Sequence, residues 1–383
     1  MSYVQTERGG IMKELILKTP KDIDDFLTGC AFYGTGGGGN VDIGRASLMD
    51  CLDKGINITL KNPEDIEEKE TYCCAFFMGS IAPKTPETLA EMERIGYTER
   101  LYDPDNILIG AVRNMEEFLG KKVDGLFVAE PGGTNGACCI AAAMKMGVPI
   151  IDGDPAGRAI PEATQGLPEI YGMPCLPVAY FDAWGNSSIT THTLNDLATE
   201  RIGKFISQAS FGEMAEAGYV LKGDDVRKIL VEHSLSKAYE VGKAMNDASL
   251  SEVLEAAAIK SGGLVIDQGK LTVLDTSDHD GYWWGTYQIY TGTDMYKIWF
   301  KNENHILWKN GEPMATSPDL ITVIDIDTGQ PVLNSHLKDG LNVGIVVSPI
   351  HDKYLTDEAL EVFSPRYFGF DFDYIPFEKV ANK

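Results

Sequence analysis

The sequence predicts a two-part fold: an N-terminal layered α/β domain followed by a mainly-β domain of barrel or sandwich type. Three observations carry that prediction. From about residue 13 to residue 245, short apolar runs alternate with segments of helical periodicity. Several junctions between them end in Gly, Asn, Asp or Thr, the residues that cap helix N-termini. After residue 262 the chain changes to short aromatic and β-branched runs broken by Gly-Lys, Asp-Gly, Asn-Gly and Thr-Gly turns.

Taken in order, the expected strands of the first domain are Ile56–Leu60, Tyr72–Met78, Val123–Ala129, Val148–Asp152 and Cys175–Phe181. Helices are expected at Lys21–Ala31, Val41–Lys54, Pro86–Ile95, Asn106–Leu119, Asn135–Met146 and Asn195–Ala209, each with apolar residues near i, i+3, i+4 spacing. A further helix, Leu250–Lys260, leads into the β region. The domains are drawn at 12–245 and 246–350, with a segment 351–383 that packs back on the body. That segment carries Phe363, Tyr367, Phe368, Phe370, Phe372, Tyr374 and Phe377, too much apolar surface to leave in water. The Met12-Lys13-Glu14 opening reads as a native start, with residues 1–11 as a dispensable tail.

Composition narrows the function. The 383 residues allow two to three domains. Asp and Glu number 57 against 33 Lys and Arg, a net charge of −24. Nucleic acid and anionic membrane are therefore excluded as partners. No window approaches 18 uninterrupted apolar residues and no signal peptide is evident, so a cytoplasmic protein is expected. The seven cysteines form no C-x-x-C motif, and the six histidines form no H-x-H, H-x-x-H or H-E-x-x-H pair. Buried reduced thiols are expected, and a binuclear zinc site is not.

Three clusters carry candidate chemistry. Gly34-Thr35-Gly36-Gly37-Gly38-Gly39 formally matches G-x-G-x-x-G, but the segment before it reads helical, and the next expected strand, Ile56–Leu60, ends in Lys61-Asn62 rather than in the acidic residue that holds a ribose. It is read instead as a loop of backbone donors, with Gly36, Gly37, Gly38 and Gly39 as ligand-binding residues. Glu130-Pro131-Gly132-Gly133-Thr134-Asn135 follows an expected strand, where open α/β sheets bind ligands, and so offers Glu130, Gly132, Gly133 and Asn135.

The third cluster, Asp152-Gly153-Asp154 through Arg158 to Glu162, brings three carboxylates and a guanidinium to the same expected sheet edge. Such carboxylates split into acid and base roles, or hold Mg²⁺ or Mn²⁺ through Asp152 and Asp154. Arg158 is expected to clamp a planar polar substrate. His192 follows a strand and is the histidine expected nearest the site. In the β domain, Asn302-Glu303-Asn304 and Ser317-Pro318-Asp319 are read as turn-like groups, either a lid over the site or hairpin chemistry.

The ordered set Gly34–Gly39, Glu130-Pro131-Gly132-Gly133-x-Asn135, Asp152-Gly153-Asp154-x-x-Gly157-Arg158-Ala159-x-Pro161-Glu162, Asn302-Glu303-Asn304, Pro318-Asp319-Leu320-Ile321 and Pro365-Arg366-x-Phe368-Gly369 resembles the S-methyl thiohydantoin desulfurase family over about residues 20–375. The resemblance implies an N-terminal α/β and a C-terminal β domain. It also implies hydrolytic loss of methanethiol from an S-methylated thiohydantoin, leaving a hydantoin, in the setting of hydantoin utilisation. Site roles are taken from the motifs: Glu130 or Asp154 as base, Asp152 and Glu162 as further catalytic carboxylates, and the glycine N–H groups as donors. No organic cofactor is expected, the partner is a small-molecule substrate, and the aromatic tail favours a homo-oligomer. Two other readings stand beside this one: a non-catalytic ligand-binding or assembly partner of a hydantoin-processing enzyme, and a carboxylate-bound divalent-metal hydrolase.

Overall fold

The segment Thr71–Phe77 reads Thr-Tyr-Cys-Cys-Ala-Phe-Phe, apolar on both faces, and therefore needs cover on both sides. A computed structural model describes residues 14–381, and the proposed tail 1–11 lies outside them. Thr71–Phe77 takes the second place in a five-stranded sheet ordered Gly125–Phe127, Thr71–Phe77, Met214–Lys222, Val178–Asp182, Ser187–Thr190. Only the first pair is parallel; the others are antiparallel.

Expected strands shrink: Val123–Ala129 to Gly125–Phe127 and Cys175–Phe181 to Val178–Asp182. Val148–Asp152 makes only isolated bridges, Ile150 to Leu126 and Ile151 to Lys61, since Pro149 has no N–H to extend a ladder. Ile56–Leu60 contributes Ile58–Thr59, paired with Ile16–Leu17.

The expected helices form with small shifts of their ends: Pro20–Tyr33, Val41–Asp53, Pro86–Arg94, Pro104–Leu119, Asn135–Met146, Asp196–Ala209 and Val253–Ser261. The first opens on a capping box, in which Thr19 Oγ1 accepts from Asp22 N (3.1 Å) and the Asp22 carboxylate accepts from Thr19 N (2.9 Å). The helix Ser234–Asp247 and the strand Met214–Lys222 are absent from the expectation. That helix packs against Pro20–Tyr33 closely enough that a Cβ on Gly29 would fall 1.7 Å from the Ala238 carbonyl oxygen.

Eight antiparallel strands form the second sheet, ordered Glu312–Thr316, Glu303–Lys309, Met295–Lys301, Tyr282–Tyr290, Leu264–His279, Asn342–Ser348, Leu320–Asp325, Gln330–Pro331. It coils until Leu271, Tyr287, Ile298, Leu307, Ile321 and Ile345 meet in one core. Alternation along the strands sends Leu320, Ile324 and Val346 the other way, into a core shared with Val253, Leu254 and the first sheet. Phe368 and Phe370 lie against Trp299, with ring centroids 5.4 and 5.1 Å away, so the aromatic tail covers this sheet.

Candidate active site

The glycine loop works as a wedge. Beyond Tyr33 it runs through left-handed backbone at Gly38 (φ +74°), where a Cβ would fall 2.8 Å from the Gly132 Cα. At Gly37 a Cβ would fall 1.8 Å from Glu303 Oε1. The loop carbonyls of Thr35, Gly36 and Gly38 accept from Asn304 N (2.8 Å), Asn334 N (2.8 Å) and Thr134 N (3.0 Å). The absence of side chains thus lets the Glu130 loop and the β-domain turn Asn302-Glu303-Asn304 close on the same loop from two sides. Gly36 lies against Asn334, and Gly132 and Gly133 against Gly38, Gly39 and Val41.

Beside this junction is a cavity of about 600 Å³. Its polar part is lined by Gly38, Gly39, Glu130, Asn135, Lys204, Asn302 and Glu303; its apolar part includes Phe76, Met78, Ile81, Tyr102 and Ile107. The N–H groups of Gly38 and Gly39 find no acceptor among the described residues. Asn135 ties two parallel strand ends together: its Oδ1 accepts from Phe77 N and its Nδ2 donates to Glu130 Oε1, both at 2.8 Å.

Two carboxyls share the cavity and differ in environment. Glu130 is 5 % exposed, and its second oxygen accepts from Ile160 N at 2.8 Å. Burial pushes its pKa up to about 7, against the pull of those two hydrogen bonds. Glu303 is 2 % exposed, and its Oε2 is buried with no hydrogen-bond partner. Burial, and then the neighbouring Glu130 charge, hold Glu303 well above the usual carboxylate range. Burial thus biases both carboxyls toward the protonated form, Glu303 the more strongly. A pair whose environments separate the two titrations is the arrangement that divides general-acid from general-base work.

Several expected site residues sit elsewhere. Asp152 is fully buried and accepts from Ser236 N (2.9 Å), Ser236 Oγ (2.6 Å) and the His233 ring (2.9 Å). Asp154 accepts from Ala156 N (2.7 Å), Gly157 N (2.6 Å) and the Ser234 hydroxyl. Both carboxylates anchor the start of the helix Ser234–Asp247, and neither lines the cavity. Among the described residues no group of three or more His, Cys, Asp or Glu is placed to hold a metal ion. In this structure Asp152 and Asp154 serve as structural anchors of that helix. His233 bridges Asp152 to Glu64, and the hydrogen bond to Asp152 raises its pKa to about 9.

Arg158 is also corrected. It is fully buried, and its guanidinium donates to the carbonyls of Ala159 (3.0 Å), Pro318 (3.2 Å), Asp319 (2.8 Å) and Asn304 (3.0 Å) and to Thr35 Oγ1 (2.8 Å). No donor remains for a substrate, so Arg158 fastens the glycine loop to the β domain. Glu162 does not line the cavity and is bonded to Lys301 and to Tyr367 Oη (2.6 Å). His192 is exposed and does not line the cavity.

Lys204 and the catalytic candidate Glu303 were not among the expected site residues. Lys204 Nζ lies 4.2 Å from the Tyr282 ring centroid and 3.3 Å from the Pro161 carbonyl oxygen. The legible signal was the polar triplet Asn302-Glu303-Asn304 between strands.

The fold and site define a two-domain α/β–β protein with a carboxyl pair buried where the domains meet. The chain belongs to the S-Me-THD-like family: its N-terminal-domain model matches residues 21–192 and its C-terminal-domain model residues 194–377. That is the S-methyl thiohydantoin desulfurase family which the motifs resemble. The family division places the central strand Met214–Lys222 in the C-terminal part, so both parts build the first sheet. No curated protein matches the sequence. A crystal structure of a protein from Chromobacterium violaceum shares the fold, with a TM-score of 0.77 at 19 % identity, covering 95 % of this chain and 100 % of that one.

Proposed function

We propose that this protein hydrolyses an S-methylated thiohydantoin to the hydantoin and methanethiol. The observation that carries the reading is the unequal carboxyl pair, Glu130 and Glu303, lining one cavity with Lys204, Gly38 and Gly39; family membership supports it. Water attacks the ring carbon that bears sulfur while Glu130 takes a water proton. Glu303 gives its proton to the adjacent ring nitrogen as charge develops there. Lys204 and the N–H groups of Gly38 and Gly39 stabilise the tetrahedral intermediate. The C–S bond then breaks, and the thiolate leaves with the proton held by Glu130. Deprotonation of the new hydroxyl forms the carbonyl and returns a proton to Glu303. One water is consumed, and one methanethiol and one hydantoin are formed.

The test is continuous detection of thiol from purified protein mixed with S-methylated thiohydantoins. Stoichiometric thiol and hydantoin are the expected result. Silence across the series, with hydantoins still raising the melting temperature, would make the protein a binding partner rather than the hydrolase.

A further inference from the structure

One wall of the cavity is tied to the protein differently from the others. Gly79, Ser80, Ile81 and Pro83 line it, and the chain runs on through the helix Pro86–Arg94, whose one buried residue is Met92. Leu89 and Ile95 on that stretch are 52 % and 42 % exposed. Among the described residues, every backbone hydrogen bond made by 79–96 closes within the segment. The one polar side-chain tie that leaves it joins Lys84 to Glu213.

Both ends of the segment are fixed. Before it, Phe77 N donates to Asn135 Oδ1, the same Asn135 that holds Glu130, so the segment starts beside the candidate base. The Met78 carbonyl accepts from Ser207 Oγ. After it, the Tyr97 ring stacks on Trp184, centroids 4.1 Å apart, and its hydroxyl accepts from Asn186 Nδ2 at 2.8 Å. Glycines in left-handed backbone mark the two joints, Gly79 (φ +149°) and Gly96 (φ +88°). Arg100, beyond the second joint, donates to Glu213 at 2.8 Å. Lys84 and Arg100 thus share one carboxylate, and Lys84 can leave it without stranding an unpaired anion.

Resting on the reading that this cavity holds the substrate, we infer that residues 79–96 form a lid, jointed at Gly79 and Gly96 and latched by Lys84 on Glu213. The lid opens when Lys84 leaves the carboxylate and closes over bound ligand when the pair re-forms. Segments with few buried apolar contacts open locally at small cost, and active-site lids are drawn from them. A partly exposed ion pair is a weak latch, which suits a contact that breaks in every cycle.

Hydrogen–deuterium exchange of the full-length protein tests the lid, with hydantoin as ligand, calorimetry to measure its binding and thiol release followed separately. The helix 86–94 does not line the cavity, so contact with ligand leaves its amides unprotected, whereas closure of the segment as a unit protects them. The expected result is exchange over 86–94 slowed at least about fivefold at hydantoin about tenfold above its Kd. Lys84→Met is expected to speed the same amides in free protein by about two- to fivefold, the range for a partly exposed pair, with 214–222 unchanged. Exchange over 86–94 that ignores bound hydantoin, or ignores Lys84→Met, would overturn the lid and leave the hydrolytic reading standing. Protection by hydantoin without thiol release from any S-methylated thiohydantoin would overturn the hydrolytic reading and keep the lid. Absence of hydantoin binding would overturn both.

Discussion

Glu303→Gln is expected to lower kcat/KM for thiol release by at least about 10²-fold, within the range of about 10² to 10⁴ for loss of a general acid, while the protein folds as wild type. The stability half of that expectation follows from the resting state of the side chain. Glu303 is buried, its Oε2 has no partner, and burial and Glu130 bias it toward the protonated form. Glutamine matches a neutral carboxylic acid in shape and charge, so it fits the space beside Gly37 without moving a charge. It carries no proton that it can deliver to a ring nitrogen. The variant therefore separates catalysis from packing, with kcat/KM falling and the denaturation midpoint holding. A folded Glu303→Gln protein with full turnover would remove Glu303 from the mechanism.

Arg158→Met is expected to act in the opposite sense, destabilising by about 3–5 kcal/mol, the usual scale for breaking a buried charged network from one side. Five acceptors, from Thr35, Ala159, Asn304, Pro318 and Asp319, lose their donors together. The ring of Phe363, 5.2 Å from the guanidinium, loses its cation. Arg158→Lys restores charge without the planar fork, so it recovers only part of the loss. Urea unfolding followed by circular dichroism measures the effect. An Arg158→Lys protein as stable as wild type but without turnover would return Arg158 to the substrate-gripping role that the motif alone suggests.

The difference between these two residues marks what the sequence could reveal. Glu130 and Asn135 were legible because strand ends next to glycine turns are where α/β sheets bind ligands, and both residues do line the cavity. Asp152, Asp154 and Arg158 share the same kind of loop. Their side chains are instead committed to residues far along the chain: Ser234 and Ser236 for the aspartates, Asn304 and Pro318 for the arginine. No local pattern displays such pairings. Glu303 reaches Glu130 from more than 170 positions away, through a turn whose Asn302 sits at φ +56°. The triplet was visible as polar, but its destination was set by the coiling of the eight-stranded sheet.

The fold was legible to a similar degree. Helices with capping signals, such as Thr19 before Pro20–Tyr33, stood near their expected places. The strand Met214–Lys222 reads Met-Ala-Glu-Ala-Gly-Tyr at its start, with little β-branched content, so its central position comes from neighbours on both sides rather than from propensity.

Whether Glu130 and Glu303 act as one acid–base unit is read from the pH dependence of kcat/KM for thiol release. Because the two carboxyls interact, the profile reports titrations of the pair. A rising limb near pH 7, where Glu130 loses its proton, and a fall at higher pH as Glu303 ionises are expected, with the rising limb abolished in Glu130→Gln. A wild-type profile that stays flat through neutral pH, or a rising limb that survives in folded Glu130→Gln, would contradict that expectation.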